Sequence, residues 1–234
     1  MGFYYFDYTY FIFMIPALII TMFAQYRVKS TFEKYSKMGT ARRITGAQAA
    51  EAVARHGGAH GISIRQIAGS LTDNFDPRGG VISLSQDVYS STSVAAVGVA
   101  AHEAGHAAQE AHGYFPNKLR TALVPVTNIG SRLAVPIVIF GLILPTRYDF
   151  VVYAGIALYC LAVLFQLVTL PVEFNASSRA LKALDETGIL YPDELEGARK
   201  VLTAAAMTYL AASFTAILML LRLLFLAGSR RNND

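Results

Sequence analysis

SVAAVGVAAHEAGHAAQEA, Ser93 to Ala111, is the stretch whose reading decides the rest, because it sets His102, Glu103 and His106 in the spacing His-Glu-x-x-His. The run is rich in Ala and Val. Ser90, Ser91, Thr92 and Ser93 lie at its start and are residues that cap helices, so a helix is expected from about Val94 to about His112. At 3.6 residues per turn, His102 and His106 fall one turn apart on one face, where two imidazoles can converge on one ion. Glu103, next along the helix, can reach a water beside that ion. This is the donor set and spacing of a zinc hydrolase. The bland alternative is a pair of helical histidines at a membrane surface beside an exposed glutamate.

Composition sets the surroundings. The chain has 234 residues, 54% of them hydrophobic and only 15% charged, which is too apolar for an ordinary soluble domain. Residues 8–26, 150–172 and 201–221 carry no charge, and each run is near the roughly 20 residues that a spanning helix needs. A fourth candidate lies within 121–146, interrupted by Pro125 and Pro136 and carrying Arg132, which can snorkel if it sits near the start of the span. The expected class is therefore a mainly α membrane protein of about four transmembrane helices with a small α+β cytoplasmic domain.

No Lys or Arg precedes the first apolar run and no small-x-small cleavage pattern follows it, which points to an anchor rather than a removable signal. Tyr4, Tyr5, Tyr8 and Tyr10 stand where an interfacial aromatic belt would lie. Arg27, Lys29, Lys34, Lys37, Arg42 and Arg43 follow the run at once, so the positive-inside tendency makes that side cytoplasmic. The formal charge of +4 is read as topology and attraction to anionic lipid; without interleaved aromatics on a soluble face, nucleic acid is not an expected partner. Cys160 is the single cysteine and falls inside a span, so no disulfide can form within the chain.

The organisation expected is an anchor at 1–26, a cytoplasmic zincin-like part with the motif helix at 27–120, a helix pair at 121–170, a cytoplasmic helical part at 171–200 and a last span at 201–228. Thr45-Gly46-Ala47-Gln48 has the form of a capping box opening a helix that Gly57-Gly58 ends. Gly61 to Leu71 suggests one or two short strands, 76–80 a turn, and Val81 to Ser85 a further strand. That last strand, leading into the motif helix, is expected to offer an edge to an extended peptide.

A third ligand is needed. His56 and His60 flank glycines at a helix end, where exposed or capping roles are usual. His112 follows His102 by ten residues, but Gln109 replaces the glycine that would turn the chain back to the metal, and on a continuing helix His112 points elsewhere. Glu173 is the better candidate: it is the first charge after the 150–172 run, and two spans between it and His106 bring both to the same side. Pro192, Asp193, Glu194 and Glu196 suit the first turn of a helix that continues into the last span. Arg222, Arg230 and Arg231 would lie outside, against fifteen Lys and Arg in the two inferred cytoplasmic parts.

Over nearly its whole length the chain resembles the YugP-like membrane zinc metallopeptidases, distant relatives of the HtpX-type and prenyl-protein membrane proteases. The likeness runs through Gln25 to Thr31, Leu71 to Arg78, Ser93 to His106 and Leu170 to Ser177. It implies a gluzincin-like site with His102, His106 and Glu173 as zinc ligands and Glu103 as the catalytic residue. Related gluzincins often carry Asp four residues after the ligand Glu, whereas Ser177 stands here, with Asn175 the other candidate to support a ligand. The reaction expected is hydrolysis of a protein or peptide by a zinc-activated water, with Glu103 moving the proton and Arg179 or Tyr209 as candidates for the oxyanion. Membrane-protein turnover or quality control is a fitting role. The rival is a non-catalytic zinc-binding scaffold, which a set of only three protein ligands argues against.

Overall fold

The computed structural model describes residues 8–231 and contains seven helices among them. Helix α1 is Tyr8–Ser36, α2 Gly46–His56, α3 Gln86–Tyr89 and α4 Val94–Ala111; α5 is Phe115–Ile143, α6 Phe150–Glu186 and α7 Pro192–Arg231. Strands β1 (Ser63–Ile67), β2 (Asn74–Asp76) and β3 (Val81–Ser85) lie between α2 and α3. Four helices, α1, α5, α6 and α7, are long and apolar enough to cross a membrane. This is a mainly α membrane protein with a small α+β portion. Tyr4 and Tyr5 of the expected belt fall outside the described residues; Tyr8 and Tyr10 lie within α1 and are exposed.

Two units can be distinguished. Among the described residues the first comprises 8–23, 119–169 and 209–231, the second 24–118 and 170–208. In the first, α5 runs unbroken for 29 residues through Pro125 and Pro136, so the segment read as interrupted forms one helix. Prolines are tolerated in membrane helices because neighbouring groups satisfy the freed carbonyls. Glycines bring α5 and α6 together: a Cβ on Gly155 would strike Val138 and the Ala134 carbonyl, and one on Gly141 would strike Val152. Elsewhere the unit turns apolar side chains outward, among them Ile12, Ile15, Leu18 and Ile19 of α1, as a surface solvated by lipid tails requires. Of the late arginines, Arg222 and Arg230 are engaged within this unit. Arg222 lies over the Tyr10 ring at 5.0 Å, and Arg230 pairs with Asp149 at 3.1 Å while donating to the carbonyls of Gly141 and Leu144 at the end of α5.

The second unit is built round α4. The Ser93 hydroxyl accepts from the Ala96 N–H and so caps its start, as the serine run suggested. Fourteen of its 18 residues are buried, which is possible because most are Ala, Gly or Val. Gly105 is the tightest point: a Cβ there would meet the Ala176 carbonyl of α6 well inside contact distance. Gly98 faces Ala198 of α7 and Ala108 faces Gly57 after α2, so small residues let three elements close on one helix. The capping box is present as read, Thr45 Oγ1 accepting from Gln48 N–H and Gln48 Oε1 from Thr45 N–H. At the start of α7, the Glu194 carboxylate accepts from Tyr191 N–H at 2.8 Å and from Ala41 N–H at 2.6 Å, tying the α1–α2 linker to that helix.

The sheet order is β1-β3-β2, with β1 parallel and β2 antiparallel to β3. The strand expected to offer its edge to a peptide is therefore the middle one. β1 pairs along its whole length from Val81 to Ser85, and β2 covers Val81 to Ser83 on the other side. Just beyond β2, Asp73 takes over: its carboxylate accepts from the Ser85 N–H at 2.8 Å and from the Ser85 hydroxyl. Burial pushes the Asp73 carboxyl above the usual carboxylate range, against the pull of those hydrogen bonds.

Candidate metal centre

Two helices supply the site. Along α4, His102 and His106 point the same way, with ring centroids 4.7 Å apart and planes at 84°. From α6 comes Glu173, only 2% exposed and in mid-helix, not at a helix start as an interfacial acid would be. The Gly105–Ala176 approach brings its carboxylate over the imidazoles. Glu173 Oε2 lies 3.2 Å from His102 Nε2 and 3.5 Å from His106 Nε2, and one donor atom from each residue falls within 4.8 Å of the others. Ligands about 2.1 Å from a tetrahedral zinc stand about 3.4 Å apart, so these separations suit that ion.

The surrounding hydrogen bonds set the direction of the lone pairs. Gln109, fully buried one turn after His106, donates from Nε2 to the Val172 carbonyl at 2.8 Å and to Asn175 Oδ1 at 3.0 Å. A carbonyl only accepts, so the amide is oriented with Oε1 toward His106 Nδ1, 3.0 Å away. Nδ1 must then carry the proton, and Nε2 turns its lone pair toward Glu173. In the neutral ring Nε2 is then left free for a cation, as in metal sites where a hydrogen bond at the other ring nitrogen fixes the histidine tautomer. His102 Nδ1 is held by the Ser177 hydroxyl at 3.0 Å, from the position where an Asp was the expected relative. Asn175 supports the other histidine through Gln109.

Glu103 is buried beside the pair, which removes the reading of an exposed acid on a surface helix. Arg179 donates from Nε to Asn175 Oδ1 at 2.8 Å, and its guanidinium lies 5.9 Å from the Tyr114 ring centroid. Tyr209 belongs to the other unit. His112 closes α4, its Nδ1 2.8 Å from the Ala108 carbonyl, and stands outside the donor cluster. His56 pairs with Glu186 at 2.9 Å, and His60 is exposed. The residue that sequence reasoning passed over is Gln109: it served only as a reason against His112, and its phase with His106, three residues back on the same helix face, was the available signal.

The family model described as "Putative neutral zinc metallopeptidase" matches residues 10–228. A relative from Bacillus subtilis (strain 168), described as "Putative membrane protease YugP", is 41% identical over 225 residues, covering 95% of this chain and 99% of its own length. No solved structure matches. With nearly all of its length accounted for by that model and a full-length relative, the chain belongs to the neutral zinc metallopeptidase family.

Proposed function

We propose that the protein is an integral-membrane zinc endopeptidase that cleaves protein or peptide substrates at the cytoplasmic membrane surface. One zinc ion per chain would be held by His102, His106 and Glu173 in a gluzincin-like set, with Glu103 as the catalytic residue. The observation that carries this reading is the convergence of the three donor atoms within 4.8 Å on the helix that also bears Glu103. Three protein ligands leave the fourth tetrahedral position for a reactant, which favours catalysis over a structural scaffold.

When bound, zinc supplies Lewis acidity that polarises water and the scissile carbonyl. The chain's own residues do the rest. Glu103 takes a proton from the attacking water and delivers it to the leaving nitrogen, so both proton movements pass through one carboxylate. Gln109 would hold His106 to its tautomer, and Ser177 would hold the direction of the His102 ring. Segments 27–120 and 171–200 together form the peptidase part, and the spans at 1–26, 121–170 and 201–228 hold it to the bilayer. Turnover of membrane proteins is the role that such a placement suits.

Glu103→Gln tests the mechanism. Cleavage of an unfolded test protein is expected to fall by about 10²–10⁴-fold, while zinc content stays near one per chain. Undiminished cleavage would overturn the peptidase reading, and a wild-type protein that binds zinc without cleaving would favour the scaffold. Separately, Glu173→Ala should lose zinc and His112→Ala should retain it; the reverse result would reassign the third ligand.

A further inference from the structure

On the flank of the second unit, α1 and α7 enclose a groove of about 430 Å³ whose chemistry the peptidase reading does not use. Arg27, Thr31 and Lys34 line it from α1, and Arg199, Lys200 and Thr203 from α7. On α1 they are four and three residues apart, and on α7 Thr203 follows Arg199 by four residues and Lys200 by three, so each set falls on one side of its helix. Gly197 makes the approach possible: a Cβ there would lie 2.9 Å from the Tyr35 ring, which closes the cytoplasm-proximal end of the groove. Four cations share one acid. Glu196 is 3.5 Å from both Arg199 and Lys200, and among the described residues no carboxylate pairs with Arg27 or Lys34. The groove therefore carries an excess of three positive charges together with the hydroxyls of Ser30, Thr31 and Thr203.

Its position along the helices identifies what fills it. Arg27 is the first charge after the uncharged run of α1, and Lys200 is the last before the uncharged run of α7. The basic groups of both helices thus stand where hydrocarbon gives way to headgroups. Ala204 and Met207 line the same groove from within the apolar run of α7, so it carries apolar side chains beside its cations. We propose that this groove is a binding site for an anionic phospholipid, with the phosphate held by Arg27, Lys34, Arg199 and Lys200 and the acyl chains leaving along Ala204 and Met207. Bulk attraction of a basic stretch to a charged surface needs only the charges of α1; a cavity shared with α7 adds a defined stoichiometry and a preference for a ligand that is both anionic and apolar.

The test uses the full chain, purified in a neutral detergent and titrated with phosphatidylglycerol, phosphatidylcholine or inorganic phosphate, with bound lipid counted by native mass spectrometry and melting followed in parallel. The double variant Arg27→Gln/Lys200→Gln removes two groove charges. Lys37→Gln/Arg43→Gln removes two from the same basic stretch outside the groove. Phosphatidylglycerol is expected to bind at about one per chain and to raise the melting temperature, with affinity falling about ten- to thirty-fold in the groove variant and holding in the control variant. Equal loss in both variants would reduce the effect to bulk charge and overturn the site. Equal binding of phosphatidylcholine would remove the anionic requirement, and equal stabilisation by inorganic phosphate would remove the lipid; either result refutes the proposal. Because the readout is binding, its outcome is independent of whether the zinc site cleaves peptides.

Discussion

The amide of Gln109 has two donors and one acceptor, and each has a defined partner: Val172 and Asn175 take the donors, and His106 Nδ1 meets the acceptor. Gln109→Leu keeps the bulk and helix preference of the side chain but removes the acceptor that fixes the His106 tautomer. Zinc affinity is expected to fall by about 10–100-fold, read by competition with a chromophoric chelator, while far-ultraviolet circular dichroism stays unchanged. Asp73 allows a second check. A carboxyl raised by burial holds its proton to a higher pH in the folded chain than in the unfolded one, so its contribution to stability declines as pH rises from the ordinary carboxylate range through its raised value. Asp73→Asn should flatten that acid-side slope in melting temperatures taken between pH 3.5 and 7. The proximity of His102 and His106 was legible because their spacing is local. Gln109 was only half legible: its phase with His106 is local, but its partners Val172 and Asn175 lie 63 and 66 residues away and nothing in α4 announces them.

Close approach is the principle at the level of elements. The contact between Gly105 and the Ala176 carbonyl fixes how deeply α6 settles on α4, and hence where Glu173 reaches. Gly105→Ala must push the two backbones apart. A destabilisation of about 1–3 kcal/mol is expected, with zinc retained less tightly than in the wild type; unchanged melting and zinc retention would show that the helices can yield there. The starts of α2 and α4 could be read from Thr45, Gln48 and Ser93, because caps are short-range chemistry. The interior position of β3 could not, since it depends on which strands flank it: β1 arrives in parallel register and β2 folds back as a hairpin, and a five-residue apolar strand looks the same at an edge or a centre. An extended substrate that adds to this sheet must use β1 or β2.

At the scale of the whole chain, four long apolar helices impose a parity. With all four crossing, the residues between the apolar runs of α1 and α5 would share a side with those between the apolar runs of α6 and α7, and the turn between α5 and α6 would face the other. In a Cys160→Ser background, single variants Lys37→Cys, His60→Cys and Asp185→Cys should be protected from a membrane-impermeant maleimide in intact cells, whereas Thr146→Cys should label. Labelling of Asp185→Cys together with Thr146→Cys would break the four-span order. Hydropathy and charge made this level readable from sequence, because the bilayer imposes length and neutrality on each span. They were less clear for α5, where Arg132 and two prolines obscure a helix that its surroundings complete.

The donor set is split between two helices whose ligands are 67 residues apart in the chain, from His106 to Glu173, with α5 and most of α6 between them. During synthesis His102, Glu103 and His106 leave the ribosome well before Glu173 exists, and Glu173 then arrives behind a long apolar run that must first enter the bilayer. A nascent chain therefore holds an incomplete donor set while its own exposed segments are still unfolded. The donor set is complete only once Glu173 has joined the histidines, so a chain released before residue 173 carries the two histidines with no carboxylate beside them.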